Sequence, residues 1–160
     1  MMATIERSVR LEPGASDDLD SVMTVMEAAF GTRYGEAWTR SQCAGILPMA
    51  GVRLTLARDP ASGETVGFSL VRGVADESEL LLLAVHPDRR REGIGTRLLE
   101  QFIDCALVSG AGRVHLEVRD GNAAIHMYRS AGFVAVGRRR NYYLAADGRK
   151  FDALTFAREI

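Results

Sequence analysis

The stretch SELLLLAVHPDRRREGIGTRLLEQFIDCALV, residues 78–108, limits the possible folds more than any other part of the chain. Glu79 to Val85 is almost continuously apolar. A strand of that kind belongs in the centre of a sheet, covered on both faces. Pro87 stops it. A helix follows from about Gly93 to Ser109, with Ile94, Leu98, Leu99, Phe102, Ile103, Ala106 and Leu107 on the helical period. Between strand and helix lie Arg89, Arg90 and Arg91 and the glycines Gly93 and Gly95. The first N–H groups of a helix lack internal partners and sit at the positive end of its dipole. Glycines let a ligand come close to that backbone. A buried strand, a basic glycine loop and an amphipathic helix therefore predict an α/β fold with an anion site.

The remaining elements fit around this unit. A strand over residues 4–11 ends at Pro13-Gly14, and Ser16-Asp17-Asp18 starts a helix. Leu19, Val22, Met23, Met26, Ala29 and Phe30 share one face of that helix, and Gly31 ends it. A weaker helix is expected over Glu36–Leu47. Val52–Ala57 and Thr65–Val71 read as a hairpin across DPASGE. RVHLEVR is a strand with Val114, Leu116 and Val118 on one face and His115, Glu117 and Arg119 on the other. Asn122–Ala131 reads as a short helix. Residues 133–136 and 141–144 belong to one strand, and Ala153–Ala157 forms the last. No linker or repeat interrupts the order, so residues 1–160 are expected to form one domain.

Charge bears on partners. The net charge is −1, which makes no case for a nucleic-acid or membrane-surface protein. Its distribution is uneven. Residues 1–88 carry 7 basic and 13 acidic groups, while residues 89–160 carry 13 basic and 8 acidic groups. The positive half is the half with the glycine loop. Cys43 and Cys105 lie far apart, and three scattered histidines offer no ligand cluster, so no metal is expected. The N-terminus lacks a signal-peptide core, which points to a cytoplasmic protein.

The loop alone does not specify its anion. It lacks the GK[ST] ending of an NTP-hydrolysing P-loop, and Leu98 stands where a dinucleotide fingerprint has its third glycine. Other segments narrow the choice. Arg90-Arg91-Glu92-Gly93-Ile94-Gly95 is an R-x-x-G-x-G motif after a strand ending in V-x-P. LEVRDGN, MYRSAGF, RRNYY and ADGRKFDAL then follow in order. Together these resemble the GNAT superfamily of N-acetyltransferases and, within it, the bacterial ribosomal-protein-alanine type. The match is dense from Glu79 to Leu154. Two features depart from the family pattern. Asn122 to Tyr128 is six residue steps where the family usually has seven, and one residue turns a helix by about 100°. The segment GTRYGEAWTRSQ lacks the Pro-Trp-Ser pattern common in relatives. In the superfamily that segment borders the acceptor site.

The resemblance implies a mixed, mostly antiparallel sheet with splayed central strands, flanked by helices on both faces. It implies an acetyl-CoA-dependent N-acetyltransferase in which the acceptor amine attacks the thioester directly. The backbone of Leu83, Ala84 and Val85 would pair with the pantetheine arm, with the Val85 N–H as oxyanion donor. Arg90, Arg91, Glu92, Gly93, Ile94, Gly95 and Thr96 would hold the pyrophosphate, and Asn122 would touch the cofactor. Glu117 would take the amine's proton and Tyr128 would protonate the leaving thiolate. The implied acceptor is a protein N-terminus, typically an N-terminal Ala of a small-subunit ribosomal protein, and the protein would be a monomer or homodimer.

Each residue also has an ordinary structural reading. Glu117 is an acid in mid-strand, which is costly unless it meets water or a partner, and His115 or Arg119 could supply one. Tyr128 could be a core tyrosine, and Asn122 a helix N-cap. Tyr142 and Tyr143 are adjacent, so a regular strand would send one inward and the other toward the acceptor. Arg138, Arg139 and Arg140 read as a solvated edge. Two other functions stay open: acetylation of a small-molecule amine or lysine side chain, and a degenerate acyl-CoA-binding module without turnover.

Overall fold

The computed structural model describes residues 8–160. The chain runs β1 (Arg10–Gly14), a 3-10 turn (Ser16–Asp18), α1 (Leu19–Phe30), α2 (Arg40–Ile46), β2 (Val52–Arg58), β3 (Thr65–Val74) and β4 (Glu77–Val85). A second 3-10 turn (Pro87–Arg89) leads to α3 (Ile94–Val108), β5 (Arg113–Arg119), α4 (Ile125–Ser130), β6 (Val134–Leu144) and β7 (Lys150–Glu159). Of the strand expected over residues 4–11, residues 4–7 lie outside the described residues. The strands form one seven-stranded sheet in the order β1-β2-β3-β4-β5-β7-β6. The β4–β5 pair is parallel and the other pairs are antiparallel. No helix among the described residues is long and apolar enough to cross a membrane.

Helices cover both faces. Val22, Val25 and Met26 of α1 pack with Cys43 of α2 against Leu56, Phe68 and Leu70. On the other face, Leu99, Phe102 and Ile103 of α3 and Tyr128 of α4 pack against Val71, Val114, Leu116 and Phe156. Leu70 and Val71, adjacent in β3, thus serve opposite cores, as the strand period requires.

The apolar run of β4 lies in the sheet centre, and a bulge lets it serve both cores. Leu70 pairs with Leu82 and Val71 with Leu80, leaving Leu81 without an opposite residue. That extra residue reverses the facing of the strand. Leu80 therefore joins the α3 core, while Leu82 and Ala84 join the α1 core. Pairing between β4 and β5 is short, running from Glu77↔Arg113 to Leu80↔Leu116. Beyond it the two central strands diverge. The His86 N–H bonds to the Val66 carbonyl at 2.8 Å, on the β3 side. By strand alternation the Val85 and Leu83 N–H groups face the other way, into the opening.

Helix α2 is shorter than its periodicity suggested. Thr39 Oγ1 accepts from the Gln42 N–H at 3.1 Å, and Gln42 Oε1 accepts from the Thr39 N–H at 2.7 Å. This reciprocal cap starts the helix at Arg40 and leaves Glu36 in the preceding loop.

Candidate active site

The opening between β4 and β5 is a groove of about 960 Å³, a volume suited to a large ligand. Of the residues singled out from the sequence, Leu83, Ala84, Val85, Arg90, Arg91, Gly93, Ile94, Gly95, Thr96, Glu117, Asn122, Tyr128, Tyr142 and Tyr143 all line it.

Glu92 does not. Its carboxylate turns back onto Arg89, accepting from Nε at 2.7 Å and from Nη2 at 3.0 Å. Arg89 also donates to Asp59 Oδ2 at 2.9 Å. The charge of Arg89 is thus spent inside the protein, where it rivets the loop to the β2–β3 turn. Arg90 donates to the Ala29 carbonyl at 3.3 Å, and neither it nor Arg91 meets a carboxylate among the described residues.

Backbone geometry makes the loop an anion site. Gly93 has φ +77 with no atom within 4 Å of an added Cβ, so the position needs glycine for conformation and not for space. The first helical bond is Arg97 N–H to the Gly93 carbonyl. The N–H groups of Ile94, Gly95 and Thr96 are therefore the orphan donors of α3. An added Cβ on Gly95 would lie 3.4 Å from Met127 Sδ and 3.7 Å from Leu83 and Val85 side-chain carbons. The helix start is thus seated on both the strand end and α4. These features fit a diphosphate with an attached chain running along β4.

Glu117 and Tyr128 reach the groove from opposite sides of the sheet. Val114, Leu116 and Val118 face the α3 core, so Glu117 faces the α1 side. Thr155 Oγ1 donates to Glu117 Oε2 at 2.8 Å, and Arg139 Nε lies 3.1 Å from Oε1. The partner is thus Arg139, the centre of the supposed solvated edge, and neither His115 nor Arg119. Tyr128 comes from α4 on the other face, is 6% exposed and packs edge-to-face with Phe133. Burial, reinforced by the Glu36 charge, pushes its phenol well above the ordinary tyrosine range. Asn122 stabilises a turn ahead of the helix. Asn122 Oδ1 accepts from the Ala124 N–H at 2.8 Å, and α4 starts only at Ile125.

Tyr142 and Tyr143 do not alternate. Asn141 has φ 54, and the β6–β7 register shifts between Arg139 and Tyr143. Both rings line the groove, edge-to-face at 4.9 Å. Tyr142 is half exposed. Burial raises the Tyr143 phenol, with further contributions from the charges of Glu36 and Glu117.

Glu36 has no counterpart among the sequence candidates. Its carboxylate meets Arg119 Nε at 3.1 Å and Asn122 Nδ2 at 2.9 Å. The Arg119 guanidinium lies over the Tyr34 ring, 3.6 Å from its centroid. A lone acid in a loop carries no periodic signal. Only its neighbours in space reveal it.

The chain matches the acetyltransferase (GNAT) domain family over residues 51–135. It is 43% identical over 100 residues to the ribosomal protein bS18-alanine N-acetyltransferase of Escherichia coli, covering 62% of this chain and 67% of that protein. It is 39% identical over 104 residues to the N-alpha-acetyltransferase RimI of Mycobacterium tuberculosis, covering 62% of each. The crystal structure of the ribosomal-protein-S18-alanine N-acetyltransferase from Escherichia coli shares the fold with a TM-score of 0.84. The identity there is 31%, over 95% of this chain and 94% of that one. Family match, sheet order and the splayed β4–β5 groove agree: the chain belongs to the GNAT family of acetyl-CoA-dependent N-acetyltransferases.

Proposed function

We propose that residues 1–160 act as one domain that moves an acetyl group from acetyl-CoA to the N-terminal α-amine of a protein, with an N-terminal Ala of a small-subunit ribosomal protein as the acceptor. The observation that carries this reading is the approach of Glu117 and Tyr128 from opposite faces of the sheet to the place where β4 and β5 part. A donor on one face can meet an acceptor on the other only through such an opening.

Bound acetyl-CoA supplies an activated thioester and a leaving thiolate. The α3 N-terminus, Arg90 and Arg91 bind its diphosphate. Exposed N–H and C=O groups of Leu83 to Val85 hold the pantetheine arm as an added strand. The Val85 N–H points into the opening and stabilises the oxyanion. Glu117, held in place by Arg139 and Thr155, receives the proton of the acceptor ammonium from the α1 face. Tyr128 keeps its proton at every working pH and gives it to the thiolate.

The test is acetyl transfer to a peptide beginning with Ala, followed by CoA release. Glu117→Gln and Tyr128→Phe should each lower kcat by about 10²-fold or more while CoA affinity holds within about twofold. Full activity in both variants would remove these roles. CoA binding without turnover in the parent would favour a non-catalytic module. Transfer only to small amines or lysine would move the acceptor class.

A further inference from the structure

The loop between α1 and α2 has little structure of its own. Residues 33–38 make no backbone–backbone hydrogen bond among the described residues. Side chains and close backbone contact hold them instead. The Tyr34 ring meets Phe151 edge-on at 5.1 Å. Gly35 lies so near Leu144 that an added Cβ would fall 2.0 Å from its carbonyl oxygen. The Arg119 guanidinium lies over the Tyr34 ring, Ala37 and Trp38 pack on the α1 core, and the Glu36 carboxylate adds a polar tie to Arg119 at the end of β5 and to Asn122 at the turn into α4.

We propose that Glu36 is a positioning residue that fastens this loop to the β5–α4 turn and so shapes the acceptor end of the groove. The inference rests on the reading of the α1 side as the acceptor side. Three observations carry it. The loop lines the groove with Arg33, Tyr34, Glu36 and Trp38. The Glu36 and Arg119 side chains are only 10% and 11% exposed, so their pairing is little screened by water. Asn122 is shared: its Oδ1 stabilises the turn that presents Tyr128, while its Nδ2 holds Glu36. One carboxylate thus couples the acceptor loop to the support of the donor side.

Glu36→Gln tests this with two readouts. Trp38 is the single tryptophan of the chain and sits half-buried two residues away. Its fluorescence reports loop docking without any acceptor. In the variant, acrylamide quenching of Trp38 should rise at least twofold. With a peptide beginning with Ala, the acceptor KM should rise about tenfold or more, the scale of one lost charge-assisted hydrogen bond. The acetyl-CoA KM should stay within twofold of the parent. Arg119→Gln, which also removes the guanidinium over Tyr34, should change both readouts at least as far, and the double variant should be no worse than Arg119→Gln alone. Parent values of both quenching and acceptor KM would overturn the proposal, as would an equal rise in both KM values. If the parent turns over no peptide, the acceptor reading fails, while Trp38 quenching still decides whether Glu36 docks the loop.

Discussion

Gly35→Ala puts the acceptor side of the site under a defined load. Gly35 has φ +72, and its new Cβ would sit 2.0 Å from the Leu144 carbonyl oxygen and 2.5 Å from the carbonyl carbon. Ordinary contact begins at 3.4 Å, so the loop must retreat from β6 by about 1.4 Å. The left-handed backbone adds about 1–2 kcal/mol for any residue with a Cβ. A change of that size lowers the melting temperature by about 2–8 °C for a chain of this length. The larger effect is geometric, because a misplacement of about 1 Å beside a substrate can cost about 10²-fold in rate. Acceptor kcat/KM should therefore fall by about 10²-fold. CoA binding, measured by calorimetry, should change less than about twofold, because the loop-to-β6 contact is remote from the α3 N-terminus. Unchanged acceptor kinetics in a folded Gly35→Ala protein would refute the claim that this backbone contact shapes the site.

Other expectations follow from single contacts. Gly93→Ala meets no atom within 4 Å, so its cost is purely conformational. CoA affinity by calorimetry should drop about tenfold, with acceptor KM unaffected. Phe156→Ala empties a fully buried ring position in the α3 core, and urea denaturation should show a loss of about 3–5 kcal/mol. On acidification, Asp59 and Asp152 matter. The Ala61 N–H, helped by Arg89, holds the Asp59 carboxyl below its usual range, and the Asn141 N–H and Arg138 do the same for Asp152. The unfolded chain then binds more protons than the folded one in acid. Stability is present above the ordinary carboxylate range and is lost as pH falls through the lowered native values. Asp59→Asn and Asp152→Asn should each flatten that loss in denaturation curves taken across the acidic limb.

The cofactor side of this site was legible in the chain because its signals are local. A buried strand, a glycine pair and a helical period sit within thirty-odd residues. The alternation of β5 likewise placed Glu117 opposite the core. The acceptor side was far less legible. Its walls come from a loop, a bulged edge strand and pairings across long sequence distances. Glu36 meets Asn122 across 86 residues and Arg119 across 83. Such pairs leave no periodicity. On the cofactor side the tie of Arg89 was hidden in the same way, since its partner Asp59 sits in a distant turn. Tyr142 and Tyr143 defied alternation because Asn141 takes a left-handed conformation that a strand pattern does not announce. The Leu81 bulge was equally hidden, as an unbroken run of leucines has no phase to lose.

In the proposed mechanism the groove brings a protein's terminal amine to the thioester. Its most direct test is fragment-ion mass spectrometry of one peptide that begins with Ala and carries an internal Lys, incubated with the protein and acetyl-CoA. A single acetyl group is expected on the α-amine of Ala, lost when Glu117→Gln replaces the parent protein. Acetyl on the lysine side chain, or an equal yield on the α-amine with the variant, would contradict it.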